Sequence, residues 1–254
     1  MRCQIVIPAR LASTRLPEKL LRRAGGKSIL QHTFEAASRS TVTSDVIVAV
    51  DDQRLADEVD SFGGKWIMTS ADCASGTDRI AEVASAMADV DVLVNVQGDE
   101  PEIDPESIDL VARRLMDDPT ADMATVGTPL RDYDQLHDPS CVKIVMALEA
   151  GSSSHGRAVY FSRSVVPHVR DGIDEAVLGA DPPRFWHHVG LYAYRRDFLA
   201  WYASQSTSLL ESSERLEQLR AIEAGKKIVV VAVDAATSGI DTQADLEAFT
   251  RRIS

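Results

Sequence analysis

The sequence predicts an α/β protein built on a mixed, mainly parallel sheet. Short β-branched runs (CQIVI, DVIVAV, KWIM, DVLVNV) alternate with helical patterns through the first hundred residues. The runs lack polar alternation, as strands covered on both faces do. Strand followed by helix followed by strand is the order that lays neighbouring strands parallel.

Taken in order, CQIVI is the first strand and SILQHTFEAASRS the helix that follows it. DVIVAV with QRLADEVDSF and KWIM with TDRIAEVASAM repeat the unit, and DVLVNV adds a further strand. A helix starts at Asp104, an N-cap, with Pro105 at the first helical position, where the missing N–H costs nothing. Beyond about residue 140, VKIVMAL, AVYFS and HVGLYAYR are strand-like runs that extend the sheet and form a small β-rich lobe. Residues 170–184 (RDGIDEAVLGADPPR) are rich in turn formers and are expected to be mobile. The chain closes with one helix over SERLEQLRAIEAG, the strand KKIVVVAV, and a last helix after GIDT, where Thr242 and Asp245 make a variant of the capping box. No repeat or linker divides residues 1–254, so a single domain is expected.

Composition narrows the function classes. A net charge of -12 repels nucleic acid and anionic membrane at long range, so any polyanionic substrate must meet a local gathering of cations. No apolar run approaches the roughly 18 residues that span a bilayer, and the N-terminus runs into a charged loop too soon for a signal peptide. Cys3, Cys73 and Cys141 are odd in number and scattered, which suits a reducing compartment. The expectation is a cytoplasmic protein without membrane insertion.

The cations gather after the first strand, where PARLASTRLPEK places Arg10, Arg15 and Lys19 with Ser13 and Thr14 in one loop. Ligands of open α/β sheets bind at the carboxyl ends of the strands, so this loop is a candidate phosphate site; the competing reading is a solvated basic loop. No G-x-G-x-x-G follows the strand and no G-x-x-x-x-G-K-S/T occurs, which disfavours dinucleotide dehydrogenases and P-loop NTPases. Gln97-Gly98-Asp99-Glu100-Pro101 puts a carboxylate at the same sheet edge, and Gly239-Ile240-Asp241-Thr242 supplies a second. Two carboxylates facing a triphosphate suit Mg²⁺, although each alone reads as a turn or cap residue.

The runs IPARLASTRLPEKLL, MTSADCASGTDRIAE, VNVQGDEP, DPSCVKIV, YFSRSVVP, HHVGLYAYR, LEQLRAIEAGKKI and GIDTQADLE follow one another from residue 5 to about 247. In sequence and order they resemble the motif series of the 3-deoxy-manno-octulosonate (Kdo) cytidylyltransferases, the CMP-Kdo synthetases. The resemblance implies a nucleotide-diphospho-sugar transferase fold of Rossmann-like type, a β-rich dimerisation lobe, a homodimer, Mg²⁺ dependence, CTP as donor, a Kdo-like sugar acid as acceptor and a role in lipopolysaccharide synthesis. It implies that Ala9, Arg10, Ser13 and Lys19 hold CTP, with Arg10 and Lys19 on its phosphates, and that Ser75 and Gly76 lie near the nucleotide. It matches Asp99 and Asp241 to metal ligands and Arg79, Gln97, His188, Tyr192, Glu217 and Gln218 to positions around the sugar acid. An arginine can meet a carboxylate bidentately, and the others can bridge a row of hydroxyls.

Without the resemblance these last residues read differently. Tyr192 reads as a core aromatic, His188 as surface polarity, Arg79 as a partner within its own helix, and Glu217 and Gln218 as the solvent side of an amphipathic helix. Two positions depart from the family's pattern: Cys73 stands where histidine is usual, and Glu18 where L-P-G-K-P-L has glycine. The Glu18 change bears on loop geometry and the Cys73 change on the acceptor, an amino-substituted Kdo being one alternative. A sialic-type or methylerythritol-phosphate cytidylyltransferase and a non-catalytic sugar-nucleotide binding module are the remaining alternatives.

Overall fold

The computed structural model describes residues 1–43, 45–73, 75–234 and 239–253; Ala74, inside the run MTSADCASGTDRIAE, lies outside them. The described residues build one nine-stranded mixed sheet with helices on both faces. The first half is β1 (Cys3–Ala9), a short hairpin of β2 (Arg23–Ala24) and β3 (Lys27–Ser28), α1 (Ile29–Ala37), β4 (Val46–Val50), α2 (Gln53–Ser61), β5 (Lys65–Met68), α3 (Gly76–Ala86), β6 (Val92–Asn95) and α4 (Pro105–Asp117). The second half is β7 (Met123–Pro129), α5 (Tyr133–His137), β8 (Lys143–Leu148), β9 (His155–Ser162), α6 (Glu175–Leu178), β10 (Trp186–Arg195), α7 (Arg196–Ala203), α8 (Leu209–Glu214), α9 (Leu219–Glu223), β11 (Ile228–Ala232) and α10 (Gln243–Ile253).

The sheet order is β5-β4-β1-β6-β10-β7-β11-β9-β8, with β5, β4, β1 and β6 parallel. Both faces of β1 are buried: Ile5 and Ile7 join one core, and Val6 joins the other with Ala49, Ile80 and Val83. That double burial explains why the run carries no polar alternation. The three late strands do not stack at the edge together. β10 runs antiparallel through the middle between β6 and β7, while β8 and β9 extend the far side. The start of β10 also pairs with β8, so β10, β7, β11, β9 and β8 pair in a closed ring, which is the β-rich part of the molecule.

Helix boundaries follow their side-chain chemistry. Asp104 accepts from the N–H groups of Glu106 and Ser107 ahead of α4, and Asp245 accepts from Asp241 and Thr242 at the head of α10. Two expectations need correction. The single helix over SERLEQLRAIEAG is two short ones, because Arg215 adopts a left-handed φ of 53 between α8 and α9. Residues 170–184 are not a free loop: α6 forms within them, Ile173, Val177 and Leu178 pack against a small core of Leu130, Leu136 and Phe185, and Arg131 donates to the carbonyls of Leu178 and Ala180. The apolar side chains in that stretch outweigh its turn residues.

Candidate active site

The carboxyl ends of β1 and β6 lie side by side and carry the basic loop and Asp99. Gly98 makes their approach close: a Cβ there would stand 3.0 Å from the Pro8 carbonyl oxygen and 3.3 Å from the Leu20 side chain. The segment before α10 is fastened onto this edge by the Ile240 N–H, which donates to the Asp99 carbonyl at 2.8 Å. That bond brings Asp241 beside Asp99 across more than a hundred residues of sequence.

The Lys19 ammonium sits between the two carboxylates, donating to Asp99 and, at 2.9 Å, to Asp241 Oδ1. Arg15 pairs with the other oxygen of Asp241 at 2.8 Å. Burial works against the Lys19 charge, but Asp99 and Asp241 outweigh it and hold its pKa above the ordinary lysine value. Glu18, just before it, takes a left-handed φ of 52, the conformation glycine adopts most readily, and its carboxylate accepts from Arg54 at 2.7 Å. The loop therefore keeps a glycine-like path despite the substitution.

Two connected cavities open next to this edge. A polar one of about 270 Å³ is lined by Pro8, Arg10, Ser75, Gly76, Arg79, Gln97 and Glu217. A deeper one of about 250 Å³ shares Gly76, Gln97 and Glu217 and continues past Tyr192 and Gln218 into an aromatic interior of Tyr194, Phe198 and Tyr202. Ser75 caps α3 by accepting from the Asp78 N–H, which sets Gly76 and Thr77 on the cavity wall. The Thr77 hydroxyl donates to Glu217 at 2.8 Å. Glu217 is open to the cavity, yet burial of its surroundings raises its pKa, with the Thr77 and Ser75 bonds opposing that rise.

The structure thus brings Arg10, Ser75, Gly76, Arg79, Gln97, Tyr192, Glu217 and Gln218 to cavity walls. The left-handed turn at Arg215 decides this for Glu217 and Gln218, which a continuous helix would have sent toward solvent. Tyr192 owes its place to an irregularity in β10, where the register to β7 shifts between Val189 and Tyr192. Arg79 is 1 % exposed and already held, donating to Thr69 and, at 3.1 Å, to Asp51. A ligand therefore meets a guanidinium whose fork is partly engaged within the chain. Ala9 ends β1 fully buried, and Ser13 is half-buried in the loop; neither lines a cavity.

His188 also stands behind the wall, its ring 5.3 Å from that of Tyr192 and its Nε2 3.1 Å from the Thr125 hydroxyl. Burial, and then the neighbouring His187, lower its pKa to about 3, so it is neutral at ordinary pH. Cys73 lines neither cavity: its thiol donates to Glu82, while its backbone carbonyl accepts from Arg10 at 2.9 Å. Burial and the Glu82 bond push that thiol up to about 11, so it stays protonated. Sequence reasoning missed Asn95, Thr77 and Tyr202 on the walls of the deep cavity; a lone Asn in the apolar run DVLVNV was the one signal pointing there.

Among the described residues no three His, Cys, Asp or Glu side chains gather as a metal cluster, and no helix is long and apolar enough to cross a membrane. Asp99 and Asp241 nevertheless both reach one ammonium, so their oxygens converge on a point where a cation fits.

Comparison with known proteins agrees with this geometry. Residues 4–228 match the cytidylyltransferase family. A 3-deoxy-manno-octulosonate cytidylyltransferase of Rhodopirellula baltica is 60% identical over 253 residues, covering 100% of this chain and 99% of that one. One from Syntrophotalea carbinolica is 45% identical over 242 residues, covering 95% and 94%. A solved CMP:2-keto-3-deoxy-manno-octonic acid synthetase complexed with CTP superposes with a TM-score of 0.89 at 39% identity, covering 100% of this chain and 98% of that one. With its two carboxylates, its cationic loop and its cavities set on this sheet, the chain belongs to the 3-deoxy-manno-octulosonate cytidylyltransferase family.

Proposed function

We propose that the carboxylate edge and the two cavities divide the work of one reaction, transfer of a cytidylyl group from CTP to Kdo. The reaction itself comes with the family: the chain is a CTP-dependent nucleotidyltransferase that activates Kdo to CMP-Kdo with release of pyrophosphate, a step toward lipopolysaccharide. The observation that carries the division is the meeting of Lys19, Asp99 and Asp241 at one sheet edge beside cavities that share Gln97 and Glu217.

In this reading Ala9, Arg10, Ser13, Ser75 and Gly76 surround the nucleotide, and Arg10 and Lys19 face its phosphates. The anomeric oxygen of the acceptor attacks the α-phosphorus, the bond to pyrophosphate breaks, and the acceptor's proton leaves to water. Positive charge from Arg10 and Lys19 grows in value as negative charge moves onto the leaving group. Gln97, Tyr192, Glu217 and Gln218 hold the acceptor, with Arg79 braced by Asp51 at the mouth and His188 setting the Tyr192 ring from behind. Arg10 and Lys19 fix the relative positions of donor and leaving group, and such positioning is a large part of phosphoryl-type transfer.

Asp99 and Asp241 are hard oxygen donors that suit Mg²⁺ completed by phosphate and water. The chemistry supplied by Mg²⁺ when bound is neutralisation of phosphate charge and acidification of a neighbouring hydroxyl. We further propose a homodimer formed through the β-rich part, and residence in the cytoplasm. Pyrophosphate release from CTP, measured with Kdo, an 8-amino Kdo analogue and N-acetylneuraminate, tests the reading. Kdo should be the best of the three, and preference for N-acetylneuraminate would overturn the acceptor assignment.

A further inference from the structure

The deep aromatic cavity contains more polar chemistry than the assigned residues use. Asn95 Oδ1, Tyr202 Oη and Gln218 Nε2 have no hydrogen-bond partner among the described residues, and all three side chains line this cavity. Asn95 and Tyr202 are 2 % exposed and Gln218 is 6 % exposed. Buried polar atoms almost always have partners, and three orphans converging on one cavity point to a ligand that supplies them.

None of the three can turn away to find a partner elsewhere. The Tyr202 ring lies under the Arg220 guanidinium, 4.0 Å from its centroid, and Arg220 is forked onto buried Glu211 at 2.7 and 2.6 Å. Asn95 sits opposite Tyr192 in the β6–β10 pairing, its side chain bonded to the Tyr194 hydroxyl. Gln218 stands at the start of α9, just past the helix break at Arg215, and is buried there.

Their placement also has a direction. Along one segment, Asn95 lines only the deep cavity, Gln97 lines both, and Asp99 stands at the carboxylate edge. Asn95 ends β6 and Gln97 follows two residues on, an extended-chain step of ~7 Å. The chain then turns at residues 97–100, where the Glu100 N–H donates to the Gln97 carbonyl, to set Asp99 at the edge. Asn95 therefore marks the end of the series away from the reacting edge. An eight-carbon ulosonic acid carries its carboxylate and its reacting hydroxyl on one carbon. With that carbon at the edge, its exocyclic hydroxyls are the part that reaches inward.

Resting on the reading that the acceptor is Kdo, we propose that Asn95 and Tyr202, together with Gln218, form a floor that reads the exocyclic diol of the acceptor and so sets specificity for chain length. The complementarity is specific. Asn95 Oδ1 can only accept, Gln218 Nε2 can only donate, and the Tyr202 hydroxyl does either, while each hydroxyl of a diol gives one hydrogen bond and takes others. The aromatic walls cover the carbons between. A shorter acceptor leaves the three atoms buried and unpaired, which a site of this kind discriminates against strongly.

The test uses the full chain with Kdo and with a truncated 3-deoxy-ulosonic acid lacking the terminal diol. Wild type should favour Kdo by on the order of 10²-fold or more in kcat/KM. Tyr202→Phe and Asn95→Leu should each raise the KM for Kdo about tenfold, leave the KM for CTP within about twofold, and narrow the Kdo preference by the same factor. A merely structural role predicts a lower Tm in Tyr202→Phe. Removing an unpartnered buried hydroxyl predicts an unchanged or higher Tm in the ligand-free protein, together with a smaller Kdo-induced rise. Wild-type turnover with Kdo and an unaltered preference in both variants would overturn this inference alone. Failure of wild type to release pyrophosphate with Kdo would overturn the acceptor reading and this inference with it.

Discussion

The carboxylate edge and the aromatic cavity hold their polar groups in opposite ways. At the edge every charge has a partner within the chain: Lys19 bridges Asp99 and Asp241, and Arg15 holds the remaining Asp241 oxygen. In the cavity, Asn95 Oδ1, Tyr202 Oη and Gln218 Nε2 are buried with no partner among the described residues. The difference follows from what each ligand brings. Charged groups left alone near low dielectric cost several kcal/mol, so a site for phosphates and a cation is kept neutral by exchangeable ion pairs. Neutral amide and hydroxyl groups cost less, about 1–3 kcal/mol each, and a rigid frame can hold them unpaired until a sugar arrives.

The hardest test of the comparison falls on the edge. Asp99→Asn and Asp241→Asn should each lower turnover by on the order of 10³-fold at saturating Mg²⁺ without unfolding the chain, because charge is lost at constant volume. Steady-state pyrophosphate release together with a circular dichroism spectrum checks this. Near wild-type rates in either variant would remove that carboxylate from the edge's chemistry.

Lys19→Ala separates the exchangeable pair from a purely structural one. It should lower kcat by ~10²-fold, more than it raises the KM for CTP, since its charge matters most on the departing pyrophosphate. It also leaves two carboxylates facing each other. Thermal unfolding should therefore show a lower Tm without Mg²⁺ and a larger Mg²⁺-induced rise than wild type. An identical Mg²⁺ response in the two proteins would show that the ammonium does not stand in the cation's place.

A smaller effect probes the cavity side. His188 has a folded pKa of about 3 against an ordinary 6.5, so between those values the unfolded chain binds the proton and the folded chain does not. Its contribution to stability is complete above pH 6.5 and is lost as pH falls toward 3. His188→Phe should flatten that slope by up to ~1.4 kcal/mol per pH unit. Urea unfolding at pH 4, 5 and 7 measures it, and parallel slopes would place His188 in contact with solvent.

The smallest effect is on the edge loop. Glu18→Gly relieves a left-handed residue worth ~1–2 kcal/mol but gives up an exposed pair with Arg54 worth ~0–1 kcal/mol. Greater backbone freedom of glycine in the unfolded chain trims the gain, leaving a net stabilisation of about 0.5 kcal/mol and a Tm higher by ~1–2 °C. A lower Tm would mean that the Arg54 pair holds the loop.

Much of the edge was legible in the sequence. Arg10, Lys19 and Asp99 follow the ends of strands, and strand ends in such sheets converge, so their meeting could be expected from order alone. The cavity was far less legible. Tyr192 needed a register shift in β10, and Glu217 and Gln218 needed a helix to break at Arg215, a residue with no turn propensity to announce it. Asn95 and Tyr202 were hidden because a polar residue in a strand and an aromatic in a helix are ordinary in isolation.

By itself the sequence determined the alternation of strands and helices, the two-sided burial of β1, β4 and β6, the caps at Asp104 and Asp245, and through its motifs the family. KWIM, expected to be buried in the same way, is the exposed edge strand β5, because among the described residues no strand pairs beyond it. These rest on periodicity and on contacts within a few residues, which the order of residues records directly. Only the tertiary structure decided that β10 enters the middle of the sheet, that Asp241 stands beside Asp99, and that three buried polar atoms face one cavity without partners among the described residues. Those outcomes depend on contacts between residues far apart in the chain, such as the Ile240 N–H on the Asp99 carbonyl. Local pattern carries no information about which distant partner, or none, a side chain will meet.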